Sequence, residues 1–355
     1  MGARDELSSR VAALRESRGY SNYVRVRDEV LQMLDISSDA VEGAPSAYWT
    51  HELGNFEYML DASPLIIESL RHHTFHVTGI RSYEYRPHPE DEGRRRFEAK
   101  LRMLLELEGD ELLVPESPEL GGFGHQIERG LYNLDTLKFF EALIALERGA
   151  ALDEIRAPGR KLVWEIGAGW GGFAYQFKTL FPDVTYVIVD LPELFLFSAT
   201  YLMTLFPEAK VHFHGDGDPL TDWESVDFVF VPAHASDALR GLHPALALNM
   251  VSFQEMTTEQ VDRYAELAWE LGCPLIYSLN RDRSPWNPEI DSVREVLGRY
   301  YWLHEVPLLD LQYTHLPELQ ASSLPERAAR WGLSLLGRDS SFDYRHVVGW
   351  RRAST

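Results

Sequence analysis

The chain has one cysteine, Cys273, among its 355 residues. A single thiol closes no intramolecular disulfide and builds no cysteine-based zinc site. Before Pro274 and among apolar neighbours, it reads as buried packing. Positive charge is also scarce: Lys and Arg number 34 against 55 Asp and Glu, a formal charge of −21. A surface that acidic repels the phosphate backbone of a nucleic acid, and an anionic ligand would need a local basic pocket. The one dense basic run, Arg94-Arg95-Arg96, is flanked by acids and reads as a solvated helix start. No apolar run reaches the ~18–20 residues that span a bilayer. The densest, 194–206, is broken by Ser198, Thr200 and Thr204. The first residues lack the apolar core of a secretory signal. A cytoplasmic protein is expected, with neither nucleic acid nor membrane as partner.

Hydrophobic residues make up 45% of the chain and charged residues 25%, the globular range, and the length suits two units. The texture changes near residue 150. Region 1–150 is mainly helical by its apolar spacing: Leu7, Val11 and Leu14 share one face, Val26, Val30 and Leu34 another, and Phe97, Leu101, Leu104 and Leu105 a third. It is expected to act as a lid, substrate-binding or dimerisation region. Its stretch 115–130 is rich in glycine and reads as a loop carrying His125 and Arg129. A helix over 136–148 follows, with Asp135 as N-cap. Region 151–355 alternates strands and helices. Strands are expected over 162–166, 185–189, 226–231, 245–251 and 275–279, with late strands over 302–306 and 346–350, the last reversed. A helix opened by Thr257 and Gln260 as a capping box ends at Gly272. This alternation predicts a Rossmann-like α/β fold, a doubly wound and mostly parallel sheet.

The chemistry concentrates at Glu165-Ile166-Gly167-Ala168-Gly169-Trp170-Gly171-Gly172, a glycine turn between a strand and a helix. Glycines at 167, 169 and 171 allow a sharp bend and close approach of backbone to ligand. Asp190, at the end of the next strand, can accept both hydroxyl hydrogens of a ribose, with Leu191 beside it. Gly167, Gly169 and Gly172 also satisfy the dinucleotide spacing G-x-G-x-x-G. Against that stands Glu165, which would oppose a pyrophosphate. S-adenosyl-L-methionine has no phosphate and carries an ammonium and a sulfonium, so a carboxylate at the turn suits it.

The run 165–172 resembles motif I of the class I methyltransferases, and Val189-Asp190-Leu191-Pro192-Glu193 resembles their ribose-binding turn. With Asn249-Met250-Val251-Ser252-Phe253-Gln254-Glu255-Met256, the match narrows to the sugar O-methyltransferases of bacterial polysaccharide and antibiotic pathways. It is clearest over 120–280. The resemblance implies methyl transfer from S-adenosyl-L-methionine to a sugar hydroxyl, on a nucleotide sugar, polysaccharide or glycosylated natural product. A non-sugar hydroxyl, an NAD-dependent oxidoreductase and a non-catalytic Rossmann-like binding module are the competing readings.

A sugar hydroxyl needs a general base as its bond to the methyl forms. If 245–251 is the fourth strand, Asn249, Ser252 and Glu255 reach the reacting hydroxyl and Glu255 is the base. If 226–231 is the fourth strand, His234 is the base and Asp216 flanks the adenine. Both placements stay open at this level. Tyr48, Trp49, His51 and Tyr58 can stack on a sugar or pack in a core. His125 and Arg129 could cover the methionine end of the cofactor. His72, His73, His76, His212 and His214 lack carboxylate partners at ligand spacing, so no metal is expected.

Overall fold

A computed structural model describes residues 2–37, 44–86, 92–214, 219–308 and 343–353. A hairpin of β1 (His125–Ile127) and β2 (Gly130–Tyr132) stands apart from the main sheet. The main sheet has eight strands: β3 (Lys161–Ile166), β4 (Val184–Asp190), β5 (Val211–Phe213), β6 (Phe228–Pro232), β7 (Leu246–Met250), β8 (Leu275–Arg281), β9 (Tyr301–Glu305) and β10 (Tyr344–Arg351). Their order is β5-β6-β4-β3-β7-β8-β10-β9. The neighbours from β5 to β8 run parallel, and β10 lies antiparallel to both β8 and β9. This is the doubly wound α/β arrangement read from the alternation, with its last strand reversed. The segment between the two late strands, 309–342, lies outside the described residues.

The apolar runs of the central strands follow from burial on both faces. Alternate residues serve opposite cores. Val163, Tyr186, Ile188, Phe230 and Leu248 join one cluster, whereas Trp164, Val187, Val189, Val231 and Ala247 join the other. Helices Leu134–Arg148, Gly172–Leu180 and Phe195–Leu205 contribute to the first cluster, and Thr258–Glu270 and Val293–Tyr300 to the second.

The expected division at 150 is not a break in the core. The first cluster runs without interruption from Tyr23 to Val348. Helix Arg18–Ser37 lies on helix Phe195–Leu205, Phe56 meets Phe197 edge-on at 5.5 Å, and Asn22 Nδ2 donates to Thr204 Oγ1 at 3.2 Å. That cover explains the densest apolar run of the chain: a helix apolar all round must be buried all round, and Phe195 to Thr204 are all buried.

Two local expectations change. The helix after the glycine-rich stretch starts at Leu134, and its N-cap is Asn133, whose side chain accepts from Thr136 N in a capping box. Asp135 is freed from capping and enters a buried charge cluster. Arg71, fully buried, donates through Nε to Glu116 Oε1 at 2.6 Å and through Nη2 to Asp135 Oδ2 at 3.4 Å. Asn133 Nδ2 donates to Glu116 Oε2 at 3.1 Å, and Lys138 Nζ to Asp135 Oδ1 at 3.0 Å. The stretch expected as loop also holds the β1–β2 hairpin. Cys273 is buried, as its context suggested. Among the described residues no helix is long and apolar enough to cross a membrane.

Removing one partner of a buried ionic cluster leaves uncompensated charge at a cost of ~3–5 kcal/mol. Arg71→Met keeps the volume and takes the guanidinium from Glu116 and Asp135, leaving Glu116 with Asn133 and Asp135 with Lys138. Its urea unfolding curve is expected to lose about that much stability.

Candidate functional site

The chain leaves β3 toward β4 on one side and returns to β7 on the other. A crevice opens at such a switch point, beyond the carboxyl ends of the strands. A cavity of about 1080 Å³ occupies it. Its floor is the end of β3 and the turn after it (Glu165, Gly167, Ala168, Gly169, Trp170), the end of β4 (Asp190, Leu191) and the end of β7 with the turn after it (Met250, Val251, Ser252, Glu255). Its roof comes from the first 80 residues, including Tyr48, Trp49, Glu52, Phe75 and Val77.

The glycine turn is forced by its neighbours. Gly167 has φ +72, and a Cβ there would stand 2.1 Å from Ser252 Oγ. Gly169 has φ +59, and a Cβ there would stand 2.9 Å from Val77 Cγ1 of the roof. Gly169 N donates to Asp190 Oδ2 at 2.8 Å, and Leu191 N to Asp190 Oδ1 at 2.8 Å. Oδ2 therefore ties the turn after β3 to the end of β4, while Oδ1 holds the chain as it leaves β4. Burial nevertheless lifts the Asp190 carboxyl to about 7, against the pull of these amides. Burial lifts Glu165 to about 8, although Tyr186 donates its hydroxyl to Glu165 Oε2 at 2.9 Å.

The turn after β7 is strained. Val251 sits at φ +68, a conformation that a β-branched residue almost never takes. Asn249 braces it. Its Nδ2 donates to the Ile166 carbonyl at 2.7 Å and to Ser252 Oγ, and its Oδ1 accepts from Phe253 N at 3.0 Å and Asn280 Nδ2 at 2.8 Å. Glu255 follows on the cavity wall. Burial is the main cause lifting its carboxyl to about 8, and the Trp49 side chain donates to it in opposition. Ser46 Oγ donates to the Glu255 backbone carbonyl at 2.6 Å, which seats the roof on this turn.

The sheet order decides between the two strand placements. β7 is the neighbour of β3, and β6 lies outside β4. Glu255 thus follows the fourth strand of the doubly wound order. His234 lies on the turn after β6, between Ala233 and Ser236 of the cavity wall, and burial lowers its pKa. Asn249 is fully buried with both ends of its amide committed, so it holds the turn after β7. Gly171, at φ +81, packs on Ser198. Ser252 reaches the wall, with its hydroxyl donating to the Ile166 carbonyl at 3.2 Å. Asp216 lies outside the described residues.

His125 and Arg129 do not reach the cavity; His125 packs on Tyr85 and Phe97. Of the four aromatic candidates, Tyr48 and Trp49 line it, and Tyr58 instead bonds His73 at 2.7 Å. Sequence reasoning missed Lys138 and Tyr344, whose isolated positions carry no motif. Among the described residues no group of three or more His, Cys, Asp or Glu could hold a metal ion.

No family model matches this chain, and no curated protein matches it. Among solved structures it is similar to the N-methyltransferase NodS from Bradyrhizobium japonicum WM9 in complex with S-adenosyl-L-homocysteine, at 10% identity over 73% of this chain and 99% of that one, with a TM-score of 0.37. It is also similar to human N-acetylserotonin methyltransferase in complex with SAM, at 11% identity over 89% and 74%, with a TM-score of 0.33. Likeness at this level assigns neither a reaction nor a ligand to this chain.

Asn249→Ala removes four hydrogen bonds from one turn and strands buried partners, each worth ~1–3 kcal/mol when left unsatisfied. The variant is expected to unfold at clearly lower urea concentration, whereas Ser252→Ala, which keeps the Asn249 network's other three bonds, loses about 1 kcal/mol or less.

Proposed function

We propose that the cavity binds S-adenosyl-L-methionine and that the protein transfers its methyl group to a hydroxyl oxygen, on a sugar-containing acceptor. The observation that carries this reading is the pair of buried carboxylates, Glu165 and Asp190, at the glycine turn. A dinucleotide needs free amides and an open helix end for its pyrophosphate. Here Gly169 N is spent on Asp190, and the Trp170 indole lies against Gly172 at the start of the following helix. Two acids beside that turn, once ionised, attract an ammonium and a ribose edge, and a pyrophosphate would hold them in the protonated form instead. The volume is also enough for a nucleoside cofactor and an acceptor together.

The cofactor supplies an activated methyl on a sulfonium. The chain's part is orientation, exclusion of water and removal of a proton. Glu255 is the general base: its carboxyl, raised to about 8, is matched to a proton transfer near neutral pH. Trp49 and Tyr48 face it from the roof and offer ring surfaces on which a sugar can stack. The sugar class rests on the resemblance of the 249–256 run and on these rings.

Calorimetry with S-adenosyl-L-homocysteine and with NAD tests the cofactor. The first is expected to bind and the second not; the reverse refutes the reading. A sugar panel followed by mass spectrometry is expected to yield one added methyl. Glu255→Gln should cut turnover at least a hundredfold while moving the cofactor Kd less than threefold; retained turnover removes Glu255 from the role. Asp190→Ala should weaken S-adenosyl-L-homocysteine at least tenfold.

The pH dependence has a definite sign. Burial holds Asp190 and Glu165 protonated up to about 7 and about 8. Ribose hydroxyls and an ammonium favour the ionised forms, so binding releases protons. Affinity for S-adenosyl-L-homocysteine is expected to rise from pH 6 to pH 8. Calorimetry in buffers of different ionisation enthalpy reads the released protons directly.

A further inference from the structure

The chain is strongly acidic, yet three of its arginines meet at one small cavity. That cavity, of about 180 Å³, lies between the ends of β8 and β10 and the start of helix Val293–Tyr300. Arg281, Arg294 and Arg345 line it, with Asp282 as the one acid on its wall. Strand pairing sets Arg345 opposite Asn280 and Tyr344 opposite Arg281, and the first turn of the helix brings Arg294.

The acids nearby are already engaged. Asp282 Oδ1 accepts from Ser292 Oγ at 2.7 Å and from Arg294 N at 2.9 Å, which caps the helix. Glu295 N donates to Ser292 Oγ at 3.0 Å. Amides of the helix start are therefore taken, and the positive charge at the cavity is that of side chains. Glu305 Oε2 accepts from Arg345 Nη1 at 2.6 Å and stands 3.5 Å from Arg294 Nη1. Three arginines against these two acids leave a surplus of one positive charge, in a chain of net charge −21.

Arg281 carries the surplus. Among the described residues its guanidinium makes no hydrogen bond and no ion pair, and Nε is buried without a partner. The group is nevertheless held in place: Cζ lies 4.6 Å over the Tyr344 ring, and the backbone N donates to Gln254 Oε1 at 2.9 Å. A ring face attracts a cation but offers no acceptor for the guanidinium fork. Withdrawing such a charge from water without an acceptor is costly, and an anion supplies what is missing. The size of the cavity limits that anion. Sites for drug-sized ligands run to ~300–1,000 Å³, so 180 Å³ suits a single anionic group. Guanidinium forks match carboxylate and phosphate alike. A phosphate monoester, with ~1.5–2 negative charges and three terminal oxygens, answers more than one arginine.

We propose that this cavity is a phosphate-binding site, with Arg281 as its principal ligand and Arg294 and Arg345 beside it. The site is separate from the methyl-transfer cavity and does not rest on the S-adenosyl reading. The phosphate has two sources, a free ion or an ester on the acceptor, because Tyr344 under Arg281 also lines the large cavity.

Titration calorimetry with inorganic phosphate, in chloride buffer, tests it. The wild-type protein is expected to bind one equivalent with a Kd of about 1 mM or tighter. Arg281→Gln should weaken binding at least tenfold and Arg294→Gln at least threefold. Glu305→Gln, which removes the acid competing for Arg294 and Arg345, should tighten it. Arg240→Gln, on an exposed arginine paired with Glu270, should leave it within twofold. Saturating S-adenosyl-L-homocysteine should also leave it within twofold; competition places the ion in the large cavity and overturns the proposal. Glucose 1-phosphate against inorganic phosphate separates the sources: tighter binding of the ester by tenfold assigns the acceptor, and equal or weaker binding assigns the free ion. Absence of phosphate binding in the wild-type protein overturns the proposal and leaves the S-adenosyl reading standing. Equal affinity in wild type and Arg281→Gln overturns it too. If Arg281→Gln fails to fold, the opposite shifts of Arg294→Gln and Glu305→Gln decide, and no shift in either refutes the site.

Discussion

Arg71 is the side chain on which the site's construction turns. It is fully buried, and burying a guanidinium is tolerable only when every side is answered. Glu116 takes one face of the fork, Asp135 another, and Trp170 and Phe123 lie under and beside the plane at 3.5 and 4.9 Å. Arg71 itself comes from the early helices, and its partners from three further parts of the chain: the glycine-rich stretch (Glu116, Phe123), the start of helix Leu134–Arg148 (Asp135) and the glycine turn (Trp170). One charge thus locks the roof, the helix that carries Lys138 and the ligand turn into a single body. The continuous apolar cluster from Tyr23 to Val348 supplies bulk stability, but apolar packing is not directional. The ionic cluster supplies the directions.

The cavity is the reverse case. Glu165 and Asp190 are buried there with little positive charge beside them, and desolvation holds Glu165, Asp190 and Glu255 well above the usual carboxylate range. Val251 adds backbone strain at the same place. Acids held protonated by burial and a strained turn are gathered at the ends of three adjacent strands, a concentration of costs found more often at functional sites than in structural crevices. A cationic ligand with hydroxyl donors relieves the electrostatic part.

Much of this was legible from the residues. Continuous apolar strands, a glycine turn and an acid at the next strand end are local patterns, and local physics makes them reliable: strands buried on both faces need uninterrupted apolar residues, and the turn needs glycine at positive φ. The Thr257–Gln260 capping box was legible for the same reason and forms as read. Asp135 misled because an acid before a helix is an ordinary N-cap; Asn133 took that place, and a distant arginine claimed Asp135. The place of His234 was not legible, because the strand after which a residue falls can be counted only when the order of strands in the sheet is known.

Sequence by itself determined the fold class, the glycine turn and the acids that flank it, since each follows from the chemistry of neighbours a few residues apart. Tertiary structure alone decided that β7 rather than β6 lies beside β3, that Asn249 braces the turn after β7, that the first 80 residues roof the cavity, and that Lys138 stands at its wall. Those outcomes depend on contacts between residues tens to hundreds of positions apart, for which spacing along the chain carries no record.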